Sequence, residues 1–247
     1  MRALVKAEVI KLTTTRTAMG LLGGATAVTM LGAFSTIMSA APAALAAPLH
    51  QQPLFLLASI NLSLFALVLG IRGVTDEFRH GVIVPTLLLE PTRGRVLWGK
   101  AVTLAAAGAL LAALAQAAMV GLAVLLLQGR GVQATVAGSD LAAMGGLVAA
   151  SALWAMIGVA VGAVVRHQIP AVVGALVWVL VVENLGAGLL GQAGRYLPGQ
   201  AAHALASASQ AGTLLAPAIG AVVLGGYALL AMVAATVRMT RADITTT

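Results

Sequence analysis

Apolar residues run along this chain in six long blocks, each bounded by charged residues or prolines. A helix that crosses the hydrocarbon core of a bilayer needs about 20 apolar residues, because each residue adds about 1.5 Å. The blocks have about this length and carry almost no charge. They predict six transmembrane helices, over Thr17–Met38, Leu54–Ile71, Ala101–Leu127, Leu141–Val165, a stretch from Ile169 to about Glu183, and Leu214–Val237.

The fifth block is shorter than the others and ends irregularly. It reaches Glu183 soon after Ile169, and residues 183–206 then continue as an apolar stretch interrupted by glycines. Irregular backbone at membrane depth is tolerated only where protein or a water-filled cavity covers it. A short span followed by a broken apolar stretch therefore predicts a re-entrant external segment between the fifth and sixth helices.

Few polar residues interrupt the blocks. Such residues hydrogen-bond between helices or line a translocation surface, and helix packing is the more common role. Glu183 has two interpretations, either an intramembrane functional carboxylate or a residue that marks the external interface. The candidates for a translocation path are Ser59, Asn61, Ser63, Glu183 and Asn184.

Two glycine pairs have the spacing that lets helices approach closely. They are Gly20-x-x-x-Gly24 in the first block and Gly158-x-x-x-Gly162 in the fourth. Small residues four positions apart lie on one helix face, where they allow two backbones to come together. Because the chain is so rich in glycine and alanine, we expect these pairs to pack helices within one chain.

The composition supports a lipid environment and excludes several classes of protein. Of the 247 residues, 60% are hydrophobic and 9% are charged, whereas a soluble domain is nearer half apolar and a quarter charged. A soluble domain, a disordered chain and a disulfide scaffold are excluded, the last because cysteine is absent. The four histidines have no partner at helical spacing, and no nucleophile–base motif is present. We therefore expect no enzyme activity, no bound cofactor and no metal site in this chain.

The basic residues lie unevenly around the predicted spans. With the N-terminus inside, the cytoplasmic segments hold four Lys or Arg residues in 1–16, five in 72–100, Arg166, Arg238 and Arg241, which makes twelve of the 14. Positive charge favours the cytoplasmic side. The chain is therefore predicted to be N-in and C-in, and its net charge of +7 reflects this asymmetry and not nucleic-acid binding.

The first block has a competing interpretation as a signal peptide. A small-residue stretch over residues 39–48 follows the block and resembles a cleavage site. The apolar run of about 20 residues is longer than the 7–15 of a signal peptide. The uncleaved interpretation is favoured by this length, and cleavage would leave five spans and place residues 72–100 outside.

Residues 1–16 have the pattern of a short amphipathic helix on the cytoplasmic membrane surface. Apolar burial and attraction to anionic lipid would hold such a helix there. Glu8 falls within the apolar arc, where it either pairs with Lys11 one turn later or faces a protein neighbour. The apolar arc consists of Leu4, Val5, Val9 and Leu12.

Residues 72–100, between the second and third blocks, combine the densest charge in the chain with an apolar core of their own. Val82–Val84 and Leu87–Leu89 lie between charged flanks, and such a block needs burial against headgroups or a partner subunit. Pro85 and Pro91 predict short helical turns and not one long helix. Thr92 is placed to cap the helix that leads into the third block.

These segments together resemble ABC-2-type (type V) exporter permeases. Glu8-x-x-Lys11-Leu-x-x-x-Arg16 is similar to the interface helix of that family, and Glu77-Phe-Arg-His-Gly81 with Thr86-Leu-Leu-Leu-Glu-Pro91-Thr-Arg93 is similar to its coupling region. The segment around Leu197-Pro198-Gly199 resembles the external re-entrant helices. The sequence departs from the family at Val82, where threonine is common, and in its short external segments.

The resemblance implies one transmembrane permease domain over residues 1–247, in a bacterial cytoplasmic membrane. It implies two permease subunits, as a homodimer or heterodimer, and a cytoplasmic ATPase dimer that binds ATP and magnesium. The interface helix would use Glu8, Lys11 and Arg16. The residues that would couple to the ATPase are Glu77, Arg79, His80, Gly81, Thr86, Leu88, Pro91 and Arg93.

The chain itself offers no credible nucleotide site. Residues 94–101 nearly spell a phosphate-binding loop, but Ala101 stands where the motif needs serine or threonine for magnesium. ATP energy would therefore come from the partner, and the apolar interior favours a hydrophobic or amphiphilic cargo such as a drug, lipid or peptide. The alternative is a six-span membrane anchor or assembly factor without transport activity. An ion-coupled carrier is disfavoured because intramembrane charge is scarce.

Overall fold

The computed structural model describes residues 16–45, 59–81, 92–207 and 214–241. Within these ranges helix is the only regular secondary structure, which confirms the predicted all-α class. A one-turn helix, Pro42–Leu45, follows the first long helix, and a 3₁₀ turn, Gly191–Tyr196, follows the fifth. The other helices are α1 Arg16–Ser39, α2 Ser59–Arg79, α3 Arg93–Gly129, α4 Gly138–Val165, α5 Gln168–Leu189, α6 Pro198–Leu205 and α7 Pro217–Arg241.

Five of the described helices, α1, α3, α4, α5 and α7, are long and apolar enough to cross a membrane. This is the pattern of a multi-pass membrane protein. Helix α2 is not among the five, because its last two turns carry Arg72, Asp76, Glu77 and Arg79. Residues 54–58 of the second predicted span lie outside the described residues, so six spans with an N-in, C-in topology stay a prediction.

Three helices extend beyond the apolar spans predicted from the sequence. Helix α2 continues past Ile71 to Arg79, and α3 begins at Arg93, ahead of the third span at Ala101. Charged residues ended both spans in the sequence-based prediction, but helical hydrogen bonding continues through charge when the side chains find partners. Helix α5 likewise continues past Glu183 to Leu189. The start after Thr92 agrees with the prediction, although the Thr92 side chain makes no capping hydrogen bond.

Helix α4 is the centre of the bundle and packs against α2, α3 and α7. Its contact with α2 is made by backbone. A Cβ added at Gly158 would collide with the Leu67 carbonyl, one at Gly70 would collide with the Ala155 carbonyl, and one at Gly162 would lie 2.8 Å from the Ile71 carbonyl. The prediction that the second glycine pair packs helices within the chain is confirmed.

The first glycine pair does not behave in the same way. A Cβ at Gly20 would have no neighbour within 4 Å, and one at Gly24 would lie 3.2 Å from the Phe65 ring. Helix α1 is held at its other end instead, where the Arg130 guanidinium donates to the Ile37 carbonyl and, over 2.8 Å, to the Ala40 carbonyl. The ends of α1 and α3 therefore lie side by side.

Helix α5 lies at the edge of the bundle and is not regular. In its most apolar stretch only 6% of residues are buried, against 50% in α4. A π-helical turn, Trp178–Val182, interrupts it. Such turns hold one extra residue and are frequent at functional sites.

After α5 the chain turns back into the bundle. The 3₁₀ turn ends at Tyr196, Leu197 is extended, and Pro198 then starts α6 at the first helical position that proline favours. Helix α6 packs closely on its neighbours, since a Cβ at Gly220 of α7 would lie 2.6 Å from the Ala201 carbonyl. The predicted break in residues 183–206 is thus present, while its re-entrant position in a membrane stays a prediction.

Candidate functional site

Charged residues collect at one end of the bundle, where α2, α4 and α7 end and α3 begins. We call this the basic end. The ends of α2 and α4 meet here by a cation–π contact, with the Arg166 guanidinium 5.7 Å from the centre of the Phe78 ring. The basic residues of this end are Arg72, Arg79, Arg93, Arg95, Lys100, Arg166, Arg238 and Arg241.

A buried ion pair joins α2 to α3 at the basic end. The Lys100 ammonium lies 2.6 Å from the Glu77 carboxylate, and both side chains are less than a tenth exposed. Ions in such surroundings need excellent geometry to offset the loss of hydration. Glu77 therefore faces the interior of this chain, not the surface on which a partner would dock.

The other flank of the predicted coupling segment is also fixed to the bundle. The Arg93 guanidinium donates over 2.9 Å to the Met239 carbonyl in the last turn of α7. A Cβ on the neighbouring Gly94 would lie 3.2 Å from Thr236 of the same helix. The residues on both sides of segment 82–91 are therefore fixed to the bundle, through α2 and α3 on one side and through α3 and α7 on the other.

The last predicted coupling residues of α2 are exposed. Arg79, His80 and Gly81 all lie on the surface. The Nδ1 atom of His80 lies 2.7 Å from the Asp76 carbonyl, and Gly81 has a φ of +67°, a left-handed conformation that glycine adopts without strain. The chain thus leaves the helix here through a glycine turn that closes α2.

Several predicted positions lie outside the described residues. Thr86, Leu88 and Pro91 of the coupling segment belong to this group, as do Glu8 and Lys11 of the interface helix. Their assignments stay predictions.

Arg16 and Ser59 open α1 and α2, and only their backbone is described. Whether Arg16 acts in the interface helix, or Ser59 in the translocation path, stays a prediction.

Three of the predicted path residues line one small cavity near the end of the bundle opposite the basic end, and they are among its polar lining residues. Ser63 of α2 and Glu183 and Asn184 of α5 enclose it together with residues of α4 and α6, and Asn61 is not among the lining residues. The cavity has a volume of about 60 Å³. We call it the polar chamber.

Glu183 fixes the geometry of this chamber. Its side chain is buried, one carboxylate oxygen accepts a hydrogen bond of 2.6 Å from the Gly199 amide, and the other accepts one of 3.1 Å from the Trp178 indole. Gly199 is the second residue of α6, so the carboxylate caps the start of that helix. A Cβ at Gly199 would collide with the same carboxylate oxygen, so this approach requires glycine.

Sequence reasoning missed the chamber residues contributed by α4 and α6. Trp154, Gln200 and His203 line it as well. Burial lowers the pKa of the His203 imidazole, which favours the neutral ring. The only sequence signal was the position of Gln200 and His203 within the predicted irregular segment, while Trp154 sits in an unbroken apolar block.

A second, larger cavity adjoins the chamber. It measures about 360 Å³ and lies between α4, α5 and α7, with Trp154 and Val179 lining both cavities. We call it the apolar cavity. Its other lining residues are mostly aliphatic or aromatic, including Ile157, Val161, Ala171, Trp178 and Tyr227.

The two cavities have the composition of a ligand site. In the described part of the chain, no group of three His, Asp or Glu side chains could hold a metal ion. Ligand sites in proteins are mostly apolar cavities with a few placed polar groups, and the two adjoining cavities have this composition.

No protein-family model matches the sequence, and no curated protein does.

Proposed function

We propose that this chain is the membrane-spanning subunit of an ATP-binding-cassette exporter. It would move a hydrophobic or amphiphilic molecule across a bacterial cytoplasmic membrane with energy from ATP hydrolysed by a separate subunit. The proposal starts from the resemblance of residues 8–16 and 77–93 to the interface helix and coupling region of ABC-2-type permeases. It includes six spans, with α2 and the apolar residues before it as the second, and both termini in the cytoplasm.

One observation supports this function above the others. The segment that would meet the ATPase is anchored on both flanks, at one side by the Glu77–Lys100 ion pair and at the other by Arg93 on the Met239 carbonyl. A displacement applied to residues 82–91 would therefore pass into α2, α3 and α7 together. A loop that served only as a connection would not need such anchoring.

The anchoring also suggests how ATP could act on the far end of the bundle. Helix α2 runs from the basic end to the polar chamber, where it contributes Ser63, and it contacts α4 backbone to backbone. A shift of α2 would therefore be carried by α4 to the cavities that α4 shares with α5. Two copies of this chain, or this chain and a related permease, would each contribute such a path.

The test is whether an ATPase depends on the exposed part of the coupling region. The tagged chain would be purified from membranes of its own host cell, and ATP hydrolysis by the purified material would be measured. We expect a nucleotide-binding subunit in equal amount, and we expect Arg79→Glu with His80→Glu to lower its recovery and its activity at least tenfold. These side chains are exposed, so charge reversal should leave the fold intact.

The matched control is Arg195→Glu, a charge reversal at the opposite end of the bundle, which should leave both quantities unchanged. Glu77→Ala is a poor docking probe, because it would uncover Lys100 inside the protein. If no ATPase accompanies a well-folded chain, the membrane-anchor or assembly-factor alternative replaces the exporter.

A further inference from the structure

The two cavities lie side by side and have different walls, one partly polar and the other apolar. Trp154 and Val179 line both, and Trp178 joins them, because its ring lines the apolar cavity while its indole nitrogen donates to Glu183 in the polar chamber. A ligand that filled this site would need an apolar part and a polar part side by side.

The polar chamber contains a buried carboxylate, and the described residues place no cation against it. Glu183 is its carboxylate, and the hydrogen bonds it accepts come from the neutral donors Gly199 and Trp178. The other polar lining residues, Ser63, Asn184, Gln200 and His203, include no lysine or arginine. Burial lowers the pKa of the His203 imidazole, which favours its neutral form. A buried carboxylate is costly unless a cation joins it, so the chamber complements a positive group.

The sizes of the two cavities constrain the ligand further. The chamber, at about 60 Å³, has room for a compact group, since one water occupies about 30 Å³ of the liquid. The apolar cavity, at about 360 Å³, falls in the range of small-molecule pockets. It adjoins α5, whose outer face is exposed along most of its length, so an apolar chain could enter from the side.

We propose that this site binds a cationic amphiphile, with a compact ammonium head at Glu183 and an apolar tail between α4, α5 and α7. Trp154 and Trp178 would add cation–π attraction to the head. The role of this ligand as cargo rests on the proposed exporter function. The binding itself does not, because every residue that it uses belongs to this chain.

Binding is tested on the full chain in phosphatidylcholine nanodiscs, without any ATPase. The probes are dodecylammonium and dodecanol, which share a tail and differ in the charge of the head, with tryptophan emission as the signal and empty nanodiscs as the blank. We expect Glu183→Gln to weaken dodecylammonium binding at least tenfold. Dodecanol binding should stay within a factor of two, because the substitution keeps the shape of the side chain.

The tail is tested by filling the apolar cavity without touching Glu183. A Cβ at Gly174, which lines this cavity, meets nothing within 4 Å, so Gly174→Phe can be accommodated. It should weaken both probes at least tenfold. The matched control is Gly121→Phe, at an equally open glycine of α3 outside both cavities, which should bind both probes as the unaltered chain does.

Either of two results would overturn the proposal. One is dodecylammonium binding within a factor of two in Glu183→Gln, and the other is unchanged binding in Gly174→Phe. If Glu183→Gln fails to elute as a monodisperse species, Gly174→Phe with its control decides the question alone. If the probes bind but no ATPase co-purifies, the binding site stands and the exporter function is wrong. If an ATPase co-purifies but the probes do not bind, the exporter function stands and the binding site is wrong.

Discussion

The two ends of the bundle each contain a buried glutamate, and the two carboxylates are held in different ways. At the basic end, Glu77 meets the Lys100 ammonium at 2.6 Å. At the far end, Glu183 accepts hydrogen bonds from the Gly199 amide and the Trp178 indole, and the described residues place no cation against it. Lys100 thus neutralises the Glu77 charge within the chain, whereas Glu183 receives only hydrogen bonds from neutral groups.

This difference separates a structural carboxylate from a candidate binding carboxylate. An ion pair that joins two helices fixes their relative position and has little capacity left for a ligand. A carboxylate bounded by neutral donors and an open cavity still attracts a cation. Burial alone therefore did not distinguish the two residues, and the identity of their neighbours did.

The largest loss of stability is expected when Lys100, the cation that pairs with Glu77, is removed. Lys100→Met should lower the free energy of unfolding by about 3–5 kcal/mol, because it leaves the Glu77 charge buried without its partner. Unfolding in mixed micelles with increasing dodecyl sulfate measures this. The double variant Glu77→Gln with Lys100→Met should recover most of the loss, because it removes both charges. Equal stability of the single and double variants would show that the unpaired Glu77 charge is not the cause of the loss.

At the far end the corresponding change should cost less. Glu183→Ala removes the acceptor of the Gly199 and Trp178 donors, and we expect a loss of about 2 kcal/mol in the same titration. The adjacent Asn184 is exposed and bonds only within its own helix, so Asn184→Ala should change stability by about 0.5 kcal/mol or less. A loss for Glu183→Ala as large as that for Lys100→Met would show that Glu183 is as much a structural carboxylate as Glu77.

The contact between α5 and α6 can be disturbed without altering the carboxylate. Gly199→Ala places a methyl group against Glu183 and should cost about 1–2 kcal/mol, since the side chain must move and lose the amide bond. Gly188→Ala, at an open helical position of α5, should be neutral or stabilising by up to about 1 kcal/mol. Thermal unfolding of both variants, followed by circular dichroism, separates a steric effect from helix propensity.

The smallest loss of stability is expected from removing the hydrogen bond of the Trp178 indole. Trp178→Phe keeps an aromatic ring and removes the donor to Glu183, which should cost about 0.5–1 kcal/mol because the site is partly exposed. Trp98→Phe in α3 alters a tryptophan away from Glu183 and provides the control. Identical unfolding curves for the Trp178 variant and the unaltered chain would mean that the indole bond contributes nothing to the far end.

Sequence patterns predicted α4 well because its causes are local. An unbroken apolar block set its length, and the spacing of Gly158 and Gly162 set the face that packs closely. The apolar pattern of the second span ended at Ile71 and did not show that the helix α2 continues to Arg79. The residue that neutralises Glu77 lies 23 positions later in the chain, and a single sequence does not reveal that pairing.

The candidate site was predictable only in part for a related reason. Polar residues in apolar blocks pointed to Ser63, Glu183 and Asn184, which the fold brings to one cavity. The contributions of Trp154 and His203 depend on how α4 and α6 pack, and neither residue stands out from its surroundings in the sequence. Asn61, the most polar of the candidates in α2, does not line the cavity.

The π turn at Trp178–Val182 carries a consequence for the alignment of side chains along α5. Its wider winding brings residues five apart onto one face, and this is why the indole of Trp178 can bond to Glu183 instead of Val182. In a regular α-helix, residues four apart would align. Deleting Val181 would therefore convert the turn to ordinary winding and keep the tryptophan and the glutamate in phase, whereas inserting an alanine at that point would rotate the carboxylate out of the chamber.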